Sequence, residues 1–251
     1  MPVIKDSLID SEVVGPNIQG EILQSNKEKR KKNYSYIAMM KKLFGSKMYL
    51  VGTLTMSIIL FVSTGIQFWL TDYFIYTLHF KRAEVNIAYA IVSITGPTSG
   101  CGFGGYIVNK RGGYENPTTV YVVLAFAATG IGCAIIIPFV DGFIIAATLL
   151  WMVLFFGGAM MPGLTGIMMV SVPPYLRAFG NSNGEIIKNV LGYLPAPFMY
   201  GWFNSMFGDR AGIKLIMFWG LWAPFLLLLG SIHRYRQLKR KKQKEQNQNT
   251  L

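Results

Sequence analysis

Charge is scarce in this chain, and negative charge scarcest: 12 Asp and Glu stand against 24 Lys and Arg, and charged residues fill only 14% of 251 positions. With 52% hydrophobic residues and a mean hydropathy of +0.37, too little polar surface remains to face water on all sides. That excludes a disordered chain and an ordinary soluble domain. Histidine is nearly missing as well, with only His79 and His233, which argues against a membrane di-metal oxidase. Cysteine is limited to Cys101 and Cys133, both inside apolar runs, so they read as small core residues rather than as a disulfide or metal ligands. No nucleotide-binding loop and no Walker-type lysine occurs, so ATP is not the implied energy source and no cofactor or metal is expected. No apolar run precedes Met48, so a secretory signal of the usual form is not expected and the first span acts as its own insertion signal.

What is present is hydrophobic length, flanked by positive charge. Eight Lys and Arg lie between Lys27 and Lys47, seven between Arg234 and Lys244, and Lys5 stands alone, which leaves eight for the stretch from Met48 to His233. The net charge of +12 therefore belongs mostly to two tails. Nucleic-acid binding would need basic residues on a water-facing surface with aromatics between them; here the aromatics sit in apolar runs and the cations flank them. Such clusters mark the cytoplasmic ends of membrane spans and meet anionic lipid headgroups, so the partner they imply is the bilayer.

A hydrocarbon core of about 30 Å takes roughly 20 helical residues. Six runs qualify, at about Met48–Leu78, Val85–Val108, Pro117–Val140, Phe143–Val170, Gly184–Phe207 and Ile213–Ile232, giving an all-α membrane protein with a bundle over 48–233. The loops between them, in order, are His79–Glu84, Asn109–Asn116, Asp141–Gly142, Ser171–Asn183 and Gly208–Gly212. Two basic tails on one side require an even number of spans, so both termini are expected in the cytoplasm. Residues 1–33 are polar and mixed in charge, the composition of a disordered tail. Over 34–47, Tyr36, Met40, Leu43 and Phe44 recur at helical spacing among lysines, which predicts an amphipathic helix in the interface. Residues 234–251 form a basic tail.

Polar groups inside spans are the default functional candidates, because burying them in lipid is costly. Gln67, Trp69 and Asp72 sit toward the far end of the first span; the alternative for Asp72 is a plain interfacial position. Glu185 and Lys188 stand three apart at the start of the fifth, where a water-facing i,i+3 ion pair competes with a gating role. Glycines crowd the second and fourth spans, and Gly100-x-x-x-Gly104 is a small-xxx-small pair that lets helix backbones approach closely. Pro97, Pro138, Pro162, Pro195 and Pro197 supply places to kink.

Three segments carry a family resemblance. Gly105-Tyr106-Ile107-Val108-Asn109-Lys110-Arg111-Gly112-Gly113 is similar to the short loop signature of the major facilitator superfamily, with Asn109 where that motif has an acidic residue. Arg177, Gly192, Pro195, Pro197 and Gly201 resemble in spacing the fifth helix of the carboxyl-terminal half in spinster-like and organic-anion-transporting branches. Phe61-Val62-Ser63-Thr64-Gly65-Ile66-Gln67-Phe68-Trp69 resembles the spinster helix that opens that half, without its following proline. The resemblance implies one six-helix half of a secondary transporter that moves a small organic solute, lipid-like or anionic, with H+ or Na+ by alternating access. It implies Gln67, Trp69, Asp72 and Tyr193 as cavity-facing groups and Lys110 and Arg177 as cytoplasmic contacts. It also implies a partner, either an amino-terminal six-helix half or another transporter chain, because substrate in this fold is held between halves.

Two rival readings differ in class. A truncated half-transporter that does not transport fits the same residues. An intramembrane serine protease would use Gly180-Asn181-Ser182-Asn183-Gly184, but a serine nucleophile needs a histidine in reach, and His79 and His233 flank spans rather than lie within them.

Overall fold

An apolar run in lipid must satisfy its backbone internally, and a helix does so within one segment. In the computed structural model, which describes residues 36–208, 210–232 and 234, every regular element among the described residues is helical. The expected 1–33 tail, most of the 234–251 tail, Asp209 and His233 lie outside the described residues.

Helix α1 is Tyr36–Phe44. Six long helical rods follow. The first is α2, Lys47–Asp72, continued by a π-type turn over Tyr73–Thr77 and ended at His79, whose φ of 58° no further helix tolerates. Ser46 opens it, accepting from the Tyr49 amide and donating to the Ser171 carbonyl, so one side chain caps α2 and ties down a distant loop. The second rod is α3, Arg82–Lys110, with Pro97 inside. The third is α4, Thr118–Ile136, tightened into a 3₁₀ turn over Ile137–Phe139. The fourth, α5, spans Phe143–Val170. The fifth comprises α6, Arg177–Lys188, a π-type segment over Asn189–Tyr193, and α7, Pro195–Phe207. The sixth is α8, Ala211–Trp219, which resumes over 222–232 after a turn at Gly220.

Four of the rods are long and apolar enough to cross a membrane: Lys47–Thr77, Thr118–Phe139, Phe143–Val170 and Ala211–Ile232. The second carries many Gly, Ser and Thr residues, and the fifth opens with a polar stretch, which sets both apart from these four. The fifth also corrects an expectation. The loop predicted over Ser171–Asn183 is helical from Arg177 onward, with only a 3₁₀ turn at Pro174–Leu176 before it. Asn and Gly form helix poorly on their own. Tertiary contact overrides that here: the Tyr49 hydroxyl donates to the Gly180 carbonyl at 2.6 Å in a buried setting, and Gly180, Asn183 and Gly184 face inward.

Packing among the rods has a pattern. The most extensive contact is α3 on α5, followed by α4 on α5, while α2 touches α5, the fifth rod and α8. Exchanging the first three rods for the last three maps these pairs onto one another: second–fourth onto fifth–first, third–fourth onto sixth–first, and first–second onto fourth–fifth. First–fourth and third–sixth map onto themselves. The match is one of pairs rather than of extent: the third–fourth contact is much larger than the sixth–first, and the fifth–sixth contact has no counterpart of similar extent.

Helices in lipid gain nothing from hiding apolar groups from each other, so backbone proximity and van der Waals fit must hold them. The α3–α5 seam has that character. Gly96, Gly100 and Gly104 lie four apart on α3, and β-carbons on the last two would overlap the Phe155 and Ala159 carbonyls. From the other side, a β-carbon on Gly158 would sit 2.5 Å from the Pro97 carbonyl oxygen. Large side chains fill the rest of the interior, with Phe61, Leu70, Tyr73, Leu150 and Ile216 in one cluster and Met56, Val123, Leu164 and Leu227 in another.

Candidate functional site

A cavity of about 330 Å³ lies among α2, α3, α4, α5 and α8, with the exposed Gln67 and Cys101 in its wall. Its size falls at the lower end of small-molecule sites. The walls are apolar over most of their extent, with Ile59, Val62, Phe126, Ile131 and Met160 among them. Polar groups come from Ser63 and Gln67 on α2 and Tyr89, Ser93 and Cys101 on α3; among the described residues no Asp, Glu, Lys, Arg or His side chain contributes.

The helices dictate which of the predicted residues share this cavity. Gln67 lines it. Trp69 cannot follow, because residues two apart on an α-helix face different ways. Its ring instead stacks on Tyr200 of α7, centroids 4.8 Å apart at 10°. The Trp69 Nε1 hydrogen is buried there with no hydrogen-bond acceptor among the described residues. Tyr193, in the π-type segment, is 44% exposed and meets Phe68 edge-on at 6.3 Å. Asp72 is exposed and forms no ion pair among the described residues. The four expected cavity groups therefore divide among three surroundings.

The loop motif is built by backbone conformation. Gly112 and Gly113 have φ of 93° and 77°, a left-handed region in which a side chain is strained, and the Gly113 amide donates to the Val108 carbonyl to close α3. Asn109 and Lys110 are exposed, with the Lys110 ammonium 6.0 Å above the Tyr106 ring; a β-carbon on Gly105 would meet nothing within 4 Å. The turn is held from below by Asn116, whose amide donates to the Arg111 carbonyl at 2.6 Å. Arg234 reaches it from beyond α8, donating to the Glu115 carbonyl at 2.9 Å. Burial costs this guanidinium hydration and pulls its pKa below the usual arginine value.

In the fifth rod, Glu185 and Lys188 form the i,i+3 pair at 2.6 Å, an intrahelical arrangement. Arg177 donates to the Val172 carbonyl at 3.4 Å and so closes the turn that precedes α6. Gly192 sits against α2, where a β-carbon would overlap the Ser57 carbonyl. Pro195 opens α7, Pro197 follows within its first turn, and Gly201 faces open space. Ser182 lies on α6, not in a loop, and donates to the Ala178 carbonyl at 3.2 Å.

The residues that reading the sequence missed are Tyr89, Ser93 and Tyr200. Ser93 carried the same signal as Gln67, a polar atom within a span. Among so many serines and threonines on α3 it did not stand out. Tyr200 required knowing that the fifth rod packs on the first.

Composition and architecture together define an all-helical protein with four helices suited to crossing a membrane. No protein-family model matches the chain, and no curated protein matches it significantly.

Proposed function

We propose that this bundle is one half of a facilitator-type secondary transporter, carrying a small organic solute, lipid-like or anionic, across a membrane by alternating access. In this reading all six rods span, both termini are cytoplasmic, and a second six-helix half, from an amino-terminal segment or another transporter chain, completes the pathway. The observation that carries it is the exchange pattern of the rods. Rods one and four run in opposite directions, with Gly52 against Met168 and Val62 and Ile66 beside the same cavity as Val153 and Leu154, so mapping the first three rods onto the last three is an inverted repeat, as in a facilitator half. Helix-disturbing features in the symmetry-related second and fifth rods give further support: Pro97 lies inside the continuous helix α3, and the Asn189–Tyr193 segment with Pro195 interrupts the fifth rod. Outward-facing small residues support a partner. Gly102 and Gly105 on α3 and Gly201 on α7 meet nothing within 4 Å, leaving room for another helix to approach.

Uptake tests this. Cells with the chain present in their membrane are offered labelled organic anions and lysolipids, and saturable accumulation of at least one solute above vector controls is expected. Membrane-inserted protein that moves none of them, in cells supplying a partner half, overturns the reading.

A further inference from the structure

We infer that the half-bundle by itself binds an uncharged amphiphile in the intrabundle cavity, with the ligand's hydrogen-bonding end held at Ser93, Gln67 and Tyr89. This goes beyond transport and does not depend on it: the groups that would hold the ligand all belong to this chain.

Three observations converge. The first is the state of Ser93. Several hydroxyls on these helices satisfy themselves on the preceding turn: Thr95 donates to Ile91, Thr129 to Ala125, Thr148 to Ile144 and Ser57 to Thr53. The buried oxygens of Thr55, Thr64 and Ser93 have no partner among the described residues, and of these three residues Ser93 alone lines the cavity. A buried hydroxyl left unpaired is costly, so a ligand atom that pairs with it is favoured. Pro97, one turn on and also in the cavity wall, has no N–H and cannot take the Ser93 carbonyl in the usual i−4 bond. The same turn thus offers a donor and an acceptor, the set that a hydroxyl or amide satisfies at both ends.

The second observation is the make-up of the wall. Ser63, Gln67, Tyr89 and Ser93 supply a few polar groups, and apolar side chains such as Ile58, Ile66, Phe126, Leu154 and Met161 supply the rest. From Ile58 to Gln67 is nine residues, roughly 14 Å at the helical rise. A mostly apolar site of that length with a few hydrogen-bonding groups fits a short-chain amphiphile lying along α2.

The third is charge. With no Asp, Glu, Lys, Arg or His among the described residues of the wall, an anionic or cationic ligand would meet no counter-ion there, which is unfavourable for a charge that leaves water. The ligand is therefore neutral, such as an alcohol, an amide or an acylglycerol.

Photolabelling tests this on the full chain in nanodiscs, with a photoreactive monodecanoylglycerol as probe and the modified peptides identified by mass spectrometry. Saturable labelling within 58–67 and 89–101, displaced by unlabelled monodecanoylglycerol and not by decyl sulfate, is expected. Ser93→Ala should weaken binding about fivefold, the worth of one hydrogen bond. Gly157 lines the cavity and a β-carbon there would meet nothing within 4 Å, so Gly157→Leu starts into open space, takes up room in the cavity and should abolish labelling. Gly132→Leu, equally unobstructed but outside the cavity wall, is the control and should label like the parent. Labelling that excess probe does not displace would mean bulk lipid partitioning and overturn the inference. So would equal displacement by decyl sulfate, or unchanged labelling of a folded Gly157→Leu protein. Uptake is not measured, so a negative result here leaves the transport reading to its own test.

Discussion

Adjacent residues on one helix can have opposite sensitivity, and Gly104 and Gly105 show why. A side chain at Gly104 runs into the Ala159 carbonyl, a backbone atom that cannot swing aside, whereas Gly105 faces open space. Gly104→Val should therefore destabilise the bundle by about 1–3 kcal/mol, the range for overpacking, and Gly105→Val should leave its thermal unfolding in detergent close to the parent. Equal melting of both variants would remove the tight α3–α5 seam. Tyr49→Phe deletes the buried interhelical hydrogen bond to the Gly180 carbonyl, along with the hydroxyl's interaction with Thr53 one turn on. Its expected effect is about 0.6 kcal/mol, the average for such bonds in membrane proteins, read from the same unfolding measurement. At this scale the small-xxx-small pair could be read from spacing alone. Which neighbour it meets could not, because one helix face can pack against any other. Gln67 and Trp69 make the complementary point: both are polar-bearing residues of one span, yet their difference in helical angle sends one to the cavity and the other to Tyr200.

Elements end where backbone conformation changes hand or hydrogen bonds leave the helix. The α3–α4 turn depends on Gly112 in the left-handed region, so Gly112→Ala should cost about 1–2 kcal/mol while the same substitution at the helical, unobstructed Gly132 should not. Unfolding of the two variants side by side checks this. Arg234 holds the same turn from beyond α8, donating to the Tyr114 and Glu115 carbonyls. Arg234→Ala should raise amide hydrogen exchange over 111–117 and leave that of the α5 interior unchanged. Rod positions followed from hydrophobic length, and eleven of the twelve ends of the apolar runs fell within three residues of a helix end. The start of the fifth rod did not. Its first turns are Asn- and Gly-rich, with no apolar periodicity to mark them, and they are helical because Tyr49 and the neighbouring small residues let them lie against α2.

For the molecule as a whole, the proposed topology predicts a partition of surface positions. In a background with Cys101 and Cys133 replaced, single cysteines at Asn109 and Ser182 should label with a membrane-impermeant maleimide only from the cytoplasmic face. One at Gly142 should label only from the opposite face. Labelling of all three from one side would contradict six crossings.

Hydrophobic length, the basic flanks and the scarcity of acid determined from sequence alone that this chain is helical and suited to a membrane, since lipid leaves an apolar segment few other ways to satisfy its backbone. Spacing also located the glycines that permit close approach. Only the tertiary structure decided which rods meet, that Gln67, Tyr89 and Ser93 share one uncharged cavity, and that Trp69, Asp72 and Tyr193 lie elsewhere. Those outcomes depend on the rotation of each helix about its axis and on its partner across the bundle, quantities set by packing between distant segments rather than by any local run of residues.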